Sequence, residues 1–236
     1  MPQTEPSLAA QILRGALHVA TLPFSWPLAA LRRSRESMFA RVRSAERAKF
    51  DTRKWTLQLL KHLDWRRFEE TCAAYFETLG FATQVTLHPA GGGADIGLRA
   101  AGSDAVSIVV HCKAWDAYRV GIKPVHELRS AMGAAKAGEG MLVTSGRFTQ
   151  EAAKSAAKDN IQLIDGAALL GKLAELPPEQ ALALLKFATQ GDFLTPTCPH
   201  CSIKMISRRS TQGGRKFWGC LNYPRCKQTF FGTAPA

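Results

Sequence analysis

Acidic side chains are in short supply in this chain of 236 residues: 19 Asp and Glu stand against 31 Lys and Arg, leaving a formal net charge of +12. No acidic tail offsets it, which disfavours a basic partner and favours a polyanion, either nucleic acid or an anionic membrane surface. Internal repeats are absent, which excludes a repeat array. An even spread of cysteines is missing too. Cys198, Cys201, Cys220 and Cys226 crowd the C-terminus, while Cys72 and Cys112 sit alone in apolar segments, where a small buried thiol is the ordinary reading. That pattern argues against a disulfide framework and for one metal site in a reducing, cytoplasmic setting. A clean membrane span is also lacking. Residues 15–31, GALHVATLPFSWPLAAL, are uncharged but at the short limit for a bilayer, and His18, Pro23 and Pro27 interrupt them. With Arg32, Arg33 and Arg35 behind it, this stretch is a weak candidate for inner-membrane association; a helix-and-turn segment packed on the main domain or on a partner is the simpler reading.

What is present suffices for a core and a small module: 46% of residues are apolar. Residues 34–62 read as a helical basic connector, with Phe39, Val42, Phe50, Trp55, Leu59 and Leu60 irregularly spaced. Asp64 can cap a helix through WRRFEETCAAYFETLG, with Phe68, Cys72, Tyr75, Phe76 and Leu79 on its apolar side and Gly80 ending it. A strand FATQVTL, a glycine-rich turn (Gly91, Gly92, Gly93), a strand near 95–101 and a strong strand at 106–115 follow. Helices over roughly 123–138 and from Thr149 alternate with GMLVTSG and IQLID, before DGAALLGKLAEL. This order predicts an α/β sandwich with a mixed sheet.

Within that sheet one strand, VVHCKAW, ends on Lys113, where a buried ammonium would lose hydration. If the preceding turn centres near Ser103, Asp95 lies opposite His111, and the period of two puts His111 and Lys113 on one face and Cys112 on the other. A carboxylate, a second ligand-capable side chain and an ammonium beside a glycine-rich turn are the parts of a divalent-metal phosphodiesterase site. Each group also has an ordinary reading: Glu69 adjoins Glu70 and either is readily solvated, and Lys113 can lift its head to solvent.

Phe68-Glu69, Gly80-Phe81, GGGADIGL, HCK, Val120-Gly121, GMLVTSGRFT, Ala152 and LIDG together resemble the catalytic domain of Mrr-type restriction endonucleases, in the PD-(D/E)XK nuclease superfamily. The resemblance spans about 64–170 and implies a restriction-endonuclease-like α/β/α sandwich. It further implies that Glu69 is the helical acid completing a metal shell, that Asp95 is the principal metal carboxylate, and that Lys113 positions or activates the attacking water. The implied ion is Mg2+ or Mn2+. His111 departs from the family pattern, which has Gln or Glu there. Imidazole is a softer ligand than oxygen and suits manganese better than magnesium.

Residues 198–226 carry C-P-H-C and, further on, C-L-N-Y-P-R-C, two knuckles whose thiolates can close a tetrahedral Zn2+ site. So short a module needs a metal, because it buries too little apolar surface alone. Its spacing and GCLNYPRC run resemble the C4 zinc ribbons of type IA DNA topoisomerases. Lys204, Arg208, Arg209, Arg215, Lys216, Arg225 and Lys227 make it strongly basic, with no acid between Cys198 and Phe231. Trp218 and Tyr223 are the rings expected to be exposed for stacking on bases.

The expected division is 1–33 apolar segment, 34–62 connector, 63–172 nuclease domain, 173–195 helical linker and 196–232 ribbon. In the linker, Leu182, Leu185 and Phe187 are expected to pack on the nuclease domain, and the ribbon to ride on a partly flexible tether. The function expected is a metal-dependent DNA endonuclease of the Mrr-like class; the alternative is an inactive nuclease-fold DNA-binding protein, with or without a membrane tether. A second copy of the chain is a further candidate partner.

Overall fold

The computed structural model describes residues 50–87, 94–114, 119–210 and 213–230. The apolar run at 15–31, most of the 34–62 connector, the glycine-rich turn at Gly91–Gly93 and Trp115 lie outside the described residues. Helix α1 (Leu57–His62) begins at Thr56, whose hydroxyl accepts a hydrogen bond from the Leu59 amide at 3.0 Å. Helix α2 (Trp65–Thr78) buries Phe68, Cys72, Tyr75 and Phe76, and the chain leaves it through Gly80 at φ 90°. Leu79, expected on the apolar side, is 48% exposed, because the helix stops at Thr78 and no longer aims it at the sheet.

Strands β1 (Ala82–Leu87), β2 (Ala94–Arg99), β3 (Ile108–Lys113), β4 (Glu139–Thr144) and β5 (Ile161–Ile164) lie side by side in that order. β1, β2 and β3 pair antiparallel, while β3, β4 and β5 pair parallel. Parallel neighbours require crossovers, and these are helices α3 (Ile122–Ala135) and α4 (Gln150–Ala156). They cover one face of the sheet, where Val109 and Leu142 pack with Val125, Leu128 and Ala152. Val110, Cys112 and Val143 point to the opposite face and pack with α1, α2, α5 (Gly166–Ala174) and α6 (Pro178–Ala188). The result is the α/β/α sandwich with a mixed sheet that the alternation of elements predicts. Gly166 allows the start of α5 to close on the end of β4: an added Cβ would stand 2.3 Å from the Ser145 carbonyl oxygen.

In α6 the buried side chains are Leu184, Leu185 and Ala188, whereas Leu182 and Phe187, expected in the core, are 44% and 37% exposed. The face is rotated because Phe187 instead lies under the guanidinium of Arg67, 5.4 Å from its ring centroid. No helix among the described residues is long and apolar enough to cross a membrane.

The C-terminal module is a three-stranded antiparallel sheet, β6 (Ile206–Arg209), β7 (Lys216–Gly219) and β8 (Thr229–Phe230). It is docked on α2 rather than tethered. Asp64, at the start of α2, makes no capping bond with its side chain. Its carboxylate, buried and 4% exposed, accepts instead from the Thr197 amide at 2.9 Å, the Thr197 hydroxyl at 2.5 Å and the Lys204 ammonium at 2.8 Å. The Trp65 indole donates to the Thr197 carbonyl at 2.7 Å. A buried carboxylate needs such partners, and the ribbon supplies all three of these.

Candidate active site and zinc ribbon

Register decides what β2 and β3 present. Asp95 pairs with His111 across the ladder, as the turn near Ser103 requires. The two side chains meet, His111 Nε2 against Asp95 Oδ1, with 9% and 19% of their surfaces exposed. Among the described residues neither buried ring nitrogen of His111 makes a hydrogen bond. Two residues on, the Lys113 side chain is 14% exposed, its Nζ 3.9 Å from Glu127 Oε2 on α3. Its backbone is held from the neighbouring strand: the Thr144 hydroxyl donates to the Lys113 carbonyl at 2.7 Å and accepts from the Gly146 amide at 3.1 Å. The lysine thus sits at a strand end, beside an acid, with its main chain fixed.

Asp95 and His111 line a cavity of about 740 Å³ between the sheet and α3, with Gln84, Thr86, Glu127 and Ser130 around them. A carboxylate oxygen beside a buried imidazole that makes no hydrogen bond among the described residues fits a divalent cation. Glu69 stands elsewhere: it is buried on α2, the layer facing Cys112. The Cys112 thiol is pushed well above its ordinary value by its hydrogen bond with Cys72, by burial and by the charge of Glu69. Cys72 and Cys112 are thus ordinary core thiols. Sequence reasoning missed Glu127, Gln84 and Thr86. The alternation in β1 carried a signal for the two β1 residues, since Thr86 pairs with Asp95 and Gln84 with Gly97. For Glu127 there was none, because its helix follows the strand only after a crossover.

In the ribbon, Cys198, Cys201, Cys220 and Cys226 place their sulfur atoms all within 4.8 Å of one another. Among the described residues this is the only such group of three or more His, Cys, Asp or Glu. Four convergent thiols fit a tetrahedral zinc ion, which would hold the knuckles together. Against burial, which pushes it up, the amides of Cys201 and His200 hold the Cys198 thiol below its ordinary value; burial pushes Cys220 up to about 12. A bound cation would favour the thiolate at all four.

Arg209, Arg215, Lys216, Arg225, Lys227 and Tyr223 are exposed, and Arg208 lies over the Tyr223 ring at 5.3 Å. Two expectations are corrected. Trp218, expected to be exposed, is 8% exposed and packs with Met205 and the cysteines, because a module this small needs its largest ring for its own core. Lys204, expected on DNA, is engaged by Asp64 and by the Thr195 carbonyl at 2.9 Å.

Residues 60–173 match the family model described as restriction endonuclease, and residues 195–232 the model described as topoisomerase DNA binding C4 zinc finger. The chain thus joins a restriction-endonuclease-like α/β domain to a topoisomerase-like zinc ribbon. Among solved structures it is similar to the DNA modification-dependent restriction endonuclease AspBHI, with 21% identity over 56% of this chain and 38% of that one and a TM-score of 0.42. It is also similar to MspJI restriction endonuclease in complex with a 27-mer oligonucleotide, with 18% identity over 57% of this chain and 34% of that one and a TM-score of 0.38. The chain therefore spans little more than a third of the length of either. No curated protein matches it.

Proposed function

We propose that this chain is a metal-dependent DNA endonuclease of the Mrr-like class, with a zinc-ribbon DNA-binding module. The observation that carries the reading is the pairing of Asp95 with His111 in a cavity, with Lys113 two residues on along the same face. Asp95 and His111 would hold Mg2+ or Mn2+, and Glu69, in the layer facing Cys112, would stay outside the shell that the family pattern gives it. A bound ion would supply Lewis acidity and lower the pKa of water. Lys113, an ammonium held at the strand end, would position the attacking water and stabilise charge gathering on the phosphate. Residues 63–172 act as the catalytic domain and 196–232 as the ribbon, where four thiolates hold zinc and the exposed cations track phosphates. The reducing environment that the thiols require makes this a cytoplasmic activity.

The test is plasmid cleavage by the full chain with Mg2+ and, separately, Mn2+, comparing wild type with Asp95→Ala. Asp95→Ala should abolish cleavage and leave DNA affinity mostly intact, since phosphate contacts supply most non-specific binding. A wild type that cuts no DNA form with either ion would favour an inactive nuclease fold that only binds DNA, the reading His111 invites.

A further inference from the structure

The cavity beside Asp95 has a second acid that neither its sequence position nor the family pattern marks. Glu127 projects from α3, whose Val125 and Leu128 are fully buried against the sheet, so the helix holds it at the cavity wall. Among the described residues, Asp95 and Glu127 are the two carboxylates that line that cavity. The ordinary explanation is that Glu127 balances lysines. Its contacts fit that poorly: Lys113 Nζ and Lys123 Nζ each stand 3.9 Å away, longer than a hydrogen bond, and the Lys123 side chain is 88% exposed. The exposed Lys123 pair contributes little. Independently, His111 is nine-tenths buried, lines the same cavity, and makes no hydrogen bond through either ring nitrogen among the described residues.

We propose that Glu127 supplies the second carboxylate of the cation site, taking the place of the acid or amide that His111 displaces from β3. The inference rests on the endonuclease reading. Its chemical logic is charge and hardness. Asp95 and His111 together offer one carboxylate, which is sparse for a hard dication that prefers oxygen ligands. Glu127 adds a second. Its side chain is 43% exposed, so it can turn toward the ion by a change of rotamer without unpacking α3. With two carboxylates at the site, Mg2+ becomes a competent ion alongside Mn2+.

The experiment measures Mn2+ binding to the zinc-loaded full chain by calorimetry and by loss of the free-Mn2+ electron paramagnetic resonance signal. Wild type, Asp95→Ala, Glu127→Gln, Lys113→Ala and the Lys113→Ala/Glu127→Gln double variant are compared, with Glu139→Gln as an exposed control and melting curves to confirm folding. Glu127→Gln should weaken Mn2+ by at least the roughly 10–100-fold that loss of even an outer partner costs, and by the same factor when Lys113 is already absent. If Glu127→Gln binds like wild type while Asp95→Ala does not, the inference fails and the endonuclease reading stands. If the effect vanishes in the Lys113→Ala background, Glu127 acts through the lysine and is not a ligand, which also overturns the inference. If Asp95→Ala binds like wild type, there is no cation site here and both readings fall together.

Discussion

Thr144 touches nothing outside the protein, yet its hydroxyl ties the backbone of Lys113 to the start of the next loop. Thr144→Val keeps the shape and removes both hydrogen bonds, a loss of about 0.5–1.5 kcal/mol for each. Cleavage should fall more than DNA affinity, and Thr144→Ser should restore it; equal cleavage by the valine variant and wild type would show that Lys113 needs no such anchor. His111 sets the other residue-scale expectation. His111→Gln replaces an imidazole with an oxygen donor and should shift metal preference toward magnesium, read from cleavage rates in the two ions. An unchanged preference would place His111 outside the ligand shell. The pairing of Asp95 with His111, and the place of Lys113 two residues on, were legible because a strand's period of two and one short turn fix register locally. Glu127 was not, because nothing in a sequence says which helical residue a crossover will return to a given strand.

At the scale of elements, the strands and helices of the sandwich were readable from their alternation, and errors gathered where packing overrides local pattern. Trp218 looked like a stacking ring until the ribbon's own core claimed it, and Leu79 and Phe187 looked like core until helix ends and Arg67 drew them outward. The ribbon itself depends on its thiols. Stripping zinc with a strong chelator, or Cys220→Ser, should unfold the ribbon while the main thermal transition persists, since the sandwich has two cores of its own. DNA binding should weaken and its log–log salt slope flatten by roughly 0.7–0.9 for each phosphate that the ribbon no longer neutralises. Binding of single- and double-stranded DNA that matches wild type across the salt series would make a protein the better partner for this module.

At the scale of the molecule, Asp64 joins two modules that were expected to be strung on a flexible segment. Its roles at the head of α2 and against Thr197 and Lys204 coincide, so the ribbon is seated on the helix that also carries Glu69. Asp64→Ala should leave zinc content and the sandwich's fold intact while raising ribbon mobility, visible as faster amide exchange at Thr197 and in the first knuckle. Unchanged exchange there would mean that the Asp64 carboxylate does not hold the seat. A seated anchor is also a ruler. If the ribbon grips DNA at a fixed place relative to Asp95, scission falls at one set number of base pairs from the gripped site. Loosening Asp64 would spread a single sharp band into a ladder, with rungs favoured about every 10–10.5 base pairs, where the duplex again turns the same face to the blade.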